Sequence, residues 1–244
     1  MFSIVCVYND GEILRKYLKK SLNFQTVPYE LILVDNTENE FASAAKALNH
    51  GASKATGEYL MFIHQDVDLK SETWIEDTLK KLKLMPDLGI AGVAGKSEDR
   101  KGIISNVKQG SPPKLAGINQ ITESTRVQTL DECLLIIPKI VYQELKFDED
   151  TCTGWHLYGV DYCLSVKKRG YQVYVLPTEL YHLSPGLSFS NEYYHTLKKL
   201  LKKHEGNYPQ IYTSMGDWNT SQPLIIQKLI QWLIRKVSTF RLDM

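Results

Sequence analysis

The sequence predicts an α/β fold: a Rossmann-like, mostly parallel sheet flanked by helices, with a C-terminal helical appendage. Short apolar runs at Phe2–Tyr8, Glu30–Val34, Tyr59–Ile63 and Leu88–Ala94 lack polar alternation, as strands buried on both faces do. Amphipathic or small-residue helical stretches separate them, which is the pattern of right-handed βαβ units. At 244 residues and 43% apolar composition, the chain is long enough to bury a sizeable core. An α/β domain over residues 1–204 and a helical tail over 205–244 are expected.

The first run closes at Asn9-Asp10-Gly11, a turn signal. Ile13, Leu14, Tyr17, Leu18 and Leu22 then recur at helical spacing, with Arg15, Lys16, Lys19 and Lys20 opposite them. This predicts a crossover helix with a solvated basic face. The second strand ends at Asp35-Asn36. No GxGxxG follows the first strand, which disfavours a nicotinamide or flavin enzyme. The alanine-rich stretch from Ala42 to Ala55 predicts a helix packed closely on the sheet.

The third run, Leu60-Met61-Phe62-Ile63, breaks abruptly into His64-Gln65-Asp66-Val67-Asp68. Ligands of open α/β sheets bind beyond the carboxyl ends of the strands. Carboxylates and an imidazole there can hold a divalent cation against a diphosphate. Asp66 directly after the strand is the preferred ligand; Asp68 is a second candidate, or a helix cap with Ser71.

Residues 71–85 predict an amphipathic helix on Trp74, Ile75, Leu79 and Leu82, stopped by Pro86. From Lys96 to Arg126 the chain is polar and aperiodic, which predicts a long mobile loop of the kind that serves as a lid or acceptor-binding segment. A strand interrupted by the polar pair Asp131-Glu132 is expected over 127–138, then a short helix over 140–145. A helix with Asp161 near its first turn should end in the basic turn Lys167-Lys168-Arg169 and Gly170. A strand over 171–176 and a loop at Tyr181-His182 follow. In the tail, Leu224, Ile225, Ile226, Leu229, Ile230, Trp232, Leu233 and Val237 cover one broad side of a helix. Gln227, Lys228, Gln231, Arg235 and Ser238 share the other.

Composition excludes several classes. The 29 basic and 28 acidic residues leave no global field for nucleic acid. Cys6, Cys133, Cys152 and Cys163 form no CxxC pair, so reduced, mostly buried thiols are expected rather than zinc or disulfides. With no leader and no membrane-spanning apolar run, a cytoplasmic location is expected, with peripheral contact at the inner face of a membrane as a further option. The tail's apolar face suits docking on the domain, a homodimer, or an anionic membrane surface.

Taken in order, Val7-Tyr8-Asn9, Leu33-Val34-Asp35-Asn36, Asn49-x-Gly51-x-x-x-Ala55-x-Gly57, His64-Gln65-Asp66, His156-x-Tyr158-x-x-Asp161-x-Cys163-Leu164 and His182-x-Ser184-x-Gly186 resemble the motifs of the family 2 glycosyltransferases of the GT-A fold, over roughly Phe2 to Gly186. His64-Gln65-Asp66 stands where that family commonly has Asp-x-Asp, so the first acidic position is a histidine here. The resemblance implies transfer of a sugar, with inversion, from a uridine or deoxythymidine diphosphate sugar to a glycan, lipid-linked or other hydroxyl acceptor. It implies nucleotide-sugar contacts at Val7, Tyr8, Asn9, Asp35, Asn49, His64 and Gln65, and Mn²⁺ or Mg²⁺ on Asp66 and His182. It also implies Asp161 as the catalytic carboxylate, and an acceptor wall of Trp155, His156 and Tyr158. A retaining transferase, a sugar nucleotidyltransferase and a catalytically inactive nucleotide-sugar-binding module are the alternatives. The acidic Asn9-Asp10-Gly11-Glu12 turn argues against the nucleotidyltransferase.

Overall fold

The computed structural model describes residues 1–184 and 189–240, with residues 234–240 as helical backbone. Gly186 of the His182 motif lies outside the described residues, as do the side chains of Arg235, Val237 and Ser238.

A central seven-stranded mixed sheet organises the chain. Its strands are β1 (Phe2–Tyr8), β2 (Tyr29–Asp35), β3 (Tyr59–Ile63), β4 (Leu88–Gly92), β5 (Thr125–Arg126), β6 (Leu134–Pro138) and β7 (Gln172–Val175), in the spatial order β5-β7-β4-β6-β3-β1-β2. β1 pairs in parallel with β2 and β3, and β4 with β7. β6 runs antiparallel between β3 and β4, and β5 antiparallel on β7. The predicted mostly parallel sheet therefore stands.

β3 is buried along its whole length because successive side chains enter two cores. Leu60 and Phe62 join one apolar cluster, and Tyr59, Met61 and Ile63 the other. Full burial of such side chains contributes about 1.5 to 3 kcal/mol each. The crossover helix begins as α1 (Gly11–Leu14), where the Asp10 carboxylate accepts from the Glu12 and Ile13 N–H groups. It passes through a π-helical stretch, Arg15–Lys19, into α2 (Lys20–Leu22). Leu14, Leu18 and Leu22 are buried at a spacing of four, while the basic residues between them face solvent as predicted. α3 (Ala44–Ala52) lies close on the sheet through its small residues. A Cβ on Gly51 would sit 2.5 Å from Val5 Cγ1. The amphipathic helix over 71–85 is α4 (Trp74–Leu82), and α5 (Lys139–Glu144) follows β6.

A third apolar cluster joins α6 (Tyr158–Lys167) to α7 (Asn191–His204) and to a hairpin of Gln210–Thr213 and Gly216–Asn219, with Ile211 and Trp218 fully buried. α8 (Leu224–Phe240) continues from that hairpin.

Two expectations are corrected. The segment 96–126 is not a structureless loop: it contributes Ile104–Ser105, Lys108–Gln109 and Lys114–Leu115 to small sheets and β5 to the edge of the central sheet. Strands of two residues are too short to show a period. Of the options for the tail helix, docking of its apolar face on the domain is not found among the described residues. Gln227 on its polar side is buried, its amide bonded to Asn219 and Gln222, while Ile225, Ile226, Leu229, Ile230 and Leu233 are exposed. The hairpin offers backbone polar groups at that point, and only a polar side chain can satisfy them. No helix among the described residues is long and apolar enough to cross a membrane.

Candidate active site

The carboxyl ends of β1, β2 and β3 open on one cavity of about 300 Å³. It is lined by Val7, Tyr8, Asn9, Asn36, Asn39, Ala44, Leu48, Phe62, Ile63, His64, Gln65, Asp66, Trp155 and Tyr158. Gln65 joins two of the strand ends. Its Oε1 accepts the Asn9 and Asp10 N–H groups at 3.0 Å each, and its amide donates to Asn9 Oδ1 at 2.7 Å. Asp35 does not line the cavity: it is exposed, accepting the Tyr8 hydroxyl at 2.7 Å and the Thr37 N–H and hydroxyl.

At one side of the cavity, His64, Asp66 and His182 converge. His64 Nδ1 lies 3.4 Å from His182 Nε2, which in turn lies 3.3 Å from Asp66 Oδ1. β3 delivers the first two. His182 arrives on Tyr181–His182, which pairs antiparallel with Val67–Asp68 so that His182 faces Val67 in register. The loop after it is tied back, with Leu183 N–H on the Asp66 carbonyl and Ser184 N–H on Asp66 Oδ2. Burial, reinforced by His182, pushes the His64 imidazole down to about 4, so it is neutral near pH 7. Burial raises the Asp66 carboxyl, but hydrogen bonds and charge from His182 and His64, together with the Ser184 N–H, outweigh it and hold the group below its usual value. A neutral imidazole, a second imidazole and an ionised carboxylate, with all ligand atoms within 4.8 Å of one another, fit a divalent cation of the Mn²⁺ type. Asp68 lies outside this cluster, paired with Lys70 at 2.8 Å.

A second cavity of about 260 Å³ shares His64 and His182 with the cluster. Asp131, Glu132, His156, Tyr193, Thr213, Ser214 and Met215 are among the residues that complete it. Burial pushes the Glu132 carboxyl up to about 8, against backbone N–H groups of Gly159, Leu157 and Val160 that favour the ionised form, while Asp131 nearby favours the neutral one. Gly159 is required here, since a Cβ on it would sit 2.9 Å from Glu132 Cγ.

The structure brings together Val7, Tyr8, Asn9, His64, Gln65, Asp66 and His182. It separates the aromatic residues: Trp155 and Tyr158 line the first cavity and His156 the second. Two expected site residues are elsewhere. Asn49 holds the 147–149 turn, donating to the Phe147 carbonyl and to Glu149 and accepting from Phe147 N–H, so it faces away from the cavity. Asp161 is 2% exposed and locked between Lys203 Nζ and His204 Nε2, each at 2.8 Å, on the α7 side of α6. It lines neither cavity, because its helix turns that position toward the third core. Sequence reasoning missed Asn36, Asn39, Ala44 and Leu48 in the first cavity and Asp131, Glu132 and Ser214 in the second. Only the polar pair breaking an apolar run offered a signal.

A model of a glycosyltransferase-like family matches residues 3–204. No curated protein matches the sequence. Among solved structures, GalNAc-T7 with UDP, GalNAc and Mn²⁺ superposes with a TM-score of 0.60 at 14% identity, over 84% of this chain and 47% of that one. S. aureus TarS 1–349 in complex with UDP-GlcNAc gives 0.56 at 14% identity, over 82% and 65%. The mannosyltransferase PcManGT from Pyrobaculum calidifontis, in complex with GDP-Man and Mn²⁺, gives 0.56 at 13% identity, over 85% and 64%. The chain thus spans less than two thirds of the length of each, and the likeness is one of fold. With the family model matched along most of its length, the chain belongs to the glycosyltransferase-like family.

Proposed function

We propose that the protein transfers a sugar, with inversion, from a uridine or deoxythymidine diphosphate sugar to a hydroxyl of a glycan or lipid-linked acceptor. The observation that carries this reading is the cavity at the carboxyl ends of β1, β2 and β3 with the His64, Asp66 and His182 cluster in and beside it. Two structural neighbours of the same fold hold a nucleotide sugar, UDP-GlcNAc or GDP-Man, and a third holds UDP with GalNAc; Mn²⁺ is present in two of the three.

The residues divide the work by position. Tyr8, oriented by Asp35, and the Gln65-braced turn at Asn9 form the wall for the nucleoside, with Val7 beside them. Trp155 and Tyr158 offer aromatic surface to the sugar. Asp66 and His182, with His64 as third donor, would hold Mn²⁺ or Mg²⁺, which when bound neutralises charge growing on the diphosphate as the sugar departs. His64 in place of a first carboxylate leaves the site one negative charge poorer, and an imidazole donor favours Mn²⁺ over Mg²⁺.

The exposed apolar face of α8 supports a peripheral site of action. The segment 224–244 carries Lys228, Arg235, Lys236 and Arg241 against the single acid Asp243, which suits an anionic membrane surface bearing a lipid-linked acceptor.

Calorimetry of UDP-, dTDP- and GDP-sugars with and without Mn²⁺ tests the reading. Binding of one class that requires the ion is expected. No binding of any donor under either condition would overturn it.

A further inference from the structure

Inversion requires a group that removes the acceptor proton on the face opposite the departing diphosphate, and Asp161, buried against Lys203 and His204, is turned away from both cavities. We infer that Glu132 is the general base of the transfer and that the second cavity is the acceptor subsite. This rests on the transferase reading above.

The geometry has three parts. The second cavity meets the first at His64, and His182 also lines it, so an acceptor held there approaches from beside the cluster proposed to hold the diphosphate. Two carboxylates line it, and they differ in what they are bound to. Asp131 is committed on both oxygens, Oδ1 to the Cys133 N–H at 3.1 Å and Oδ2 to the Ser214 hydroxyl at 2.9 Å. Glu132 takes the Gly159 N–H on Oε1 at 2.8 Å and pairs with no side chain among the described residues. Finally, the seat is built for it. Gly159 leaves the space that Glu132 Cγ occupies, and Glu132 lies over the first turn of α6, where backbone N–H groups fix the carboxyl and favour its ionised form in part against the burial that opposes it.

The step balances. The ionised fraction of Glu132 acts, a minority at pH 7 that grows as the pH rises toward about 8. The acceptor O–H gives its proton to that carboxylate while its oxygen forms the bond to the anomeric carbon. The bond from that carbon to the diphosphate oxygen breaks, and its electron pair leaves with the nucleoside diphosphate. Of the remaining lining, His156, Ser214, Thr213 and Tyr193 supply polar and aromatic contacts of the kind a sugar hydroxyl face uses.

Glu132→Gln keeps the acceptor for the Gly159 N–H and removes basicity, and Glu132→Ala opens room for a small acid. Full-length protein is assayed for hydrolysis of the donor that calorimetry identifies, with water as acceptor and nucleoside diphosphate release as readout. Loss of a general base lowers turnover by about 10² to 10⁴. That loss is expected in Glu132→Gln with the donor dissociation constant unchanged, and sodium formate should restore turnover to Glu132→Ala. A purely structural role moves the melting temperature and leaves formate without effect, which overturns the inference. So does full turnover in Glu132→Gln, or formate rescue of Asp131→Ala in its place. In either case an active wild type leaves the transferase reading standing. A wild type that neither binds nor hydrolyses any donor overturns both.

Discussion

His64 Nδ1 and His182 Nε2 face one another at 3.4 Å across 118 residues of chain. With Asp66 Oδ1 3.3 Å from the same His182 nitrogen, three donor atoms converge where a cation could bind. Asp66→Ala and His182→Ala should each abolish Mn²⁺-dependent donor binding in calorimetry while the far-ultraviolet circular dichroism stays unchanged. Mn²⁺ titrated into the protein without donor, followed by electron paramagnetic resonance, gives a second readout. An undiminished Mn²⁺ requirement in either variant would place the ion elsewhere.

Asp161 is expected to matter for stability rather than chemistry. Removing one partner of a buried ion pair costs about 3 to 5 kcal/mol, because Lys203 and His204 lose the carboxylate that compensates them. Asp161→Asn retains some hydrogen bonding, so a loss near the lower end is expected, roughly 6 to 12 °C in melting temperature for a chain of this size. Turnover per folded molecule should stay within a few-fold of wild type. A fall by two orders of magnitude with the melting temperature intact would restore the catalytic role.

Asp148 sets part of the acid limit of the fold. Burial raises its carboxyl, and Lys203 and the Thr151 N–H and hydroxyl outweigh that and hold it well below the usual range. A carboxylate depressed in the folded state adds stability above its unfolded value near pH 4, and that stability is lost as the pH falls further. Asp148→Asn should lower stability at pH 7 by about 1 to 2 kcal/mol, discounted for partial exposure. It should also flatten the decline of melting temperature below about pH 4. An unchanged acid limb would show that Asp148 does not set it.

Deleting residues 223–244 should leave donor binding intact, because α8 meets the rest of the chain chiefly through Leu224, Gln227 and Lys228, the last 4.0 Å above the Tyr194 ring. Flotation with vesicles containing anionic lipid should detect the full chain and lose the truncated one, with gel-filtration mass per chain unchanged. A halved mass with unchanged flotation would make the helix a dimer contact.

The sheet was legible because burial on both faces leaves an uninterrupted apolar run, as in Tyr59–Ile63, and because Leu14, Leu18 and Leu22 mark a helix by spacing alone. The strand-end position of His64, Gln65 and Asp66 followed from the same run. The partner of that site did not follow from any local pattern and was named through the family resemblance alone. His182 stands in a turn-rich stretch with no period, and only the pairing of Tyr181–His182 with Val67–Asp68 brings it to Asp66. Asp161 shows the converse. The sequence placed it correctly near the start of a helix, but the side of α6 it occupies depends on where α7 packs.

By itself, then, the sequence determined the order of the long strands of the central sheet and the helices between them, the buried character of β3 and the chemistry available at its end, since these depend on local periodicity and residue type. It did not show the short strands of 96–126 or the hairpin within 205–244. The tertiary structure alone decided which carboxylates reach a cavity. Asp161 and Glu132 are both acidic residues beside apolar ones, yet α6 turns one toward Lys203 and His204 while the bare Cα of Gly159 admits the other to the wall of the second cavity. Such placement is set by contacts between elements distant in the chain, and no window along the sequence contains both partners.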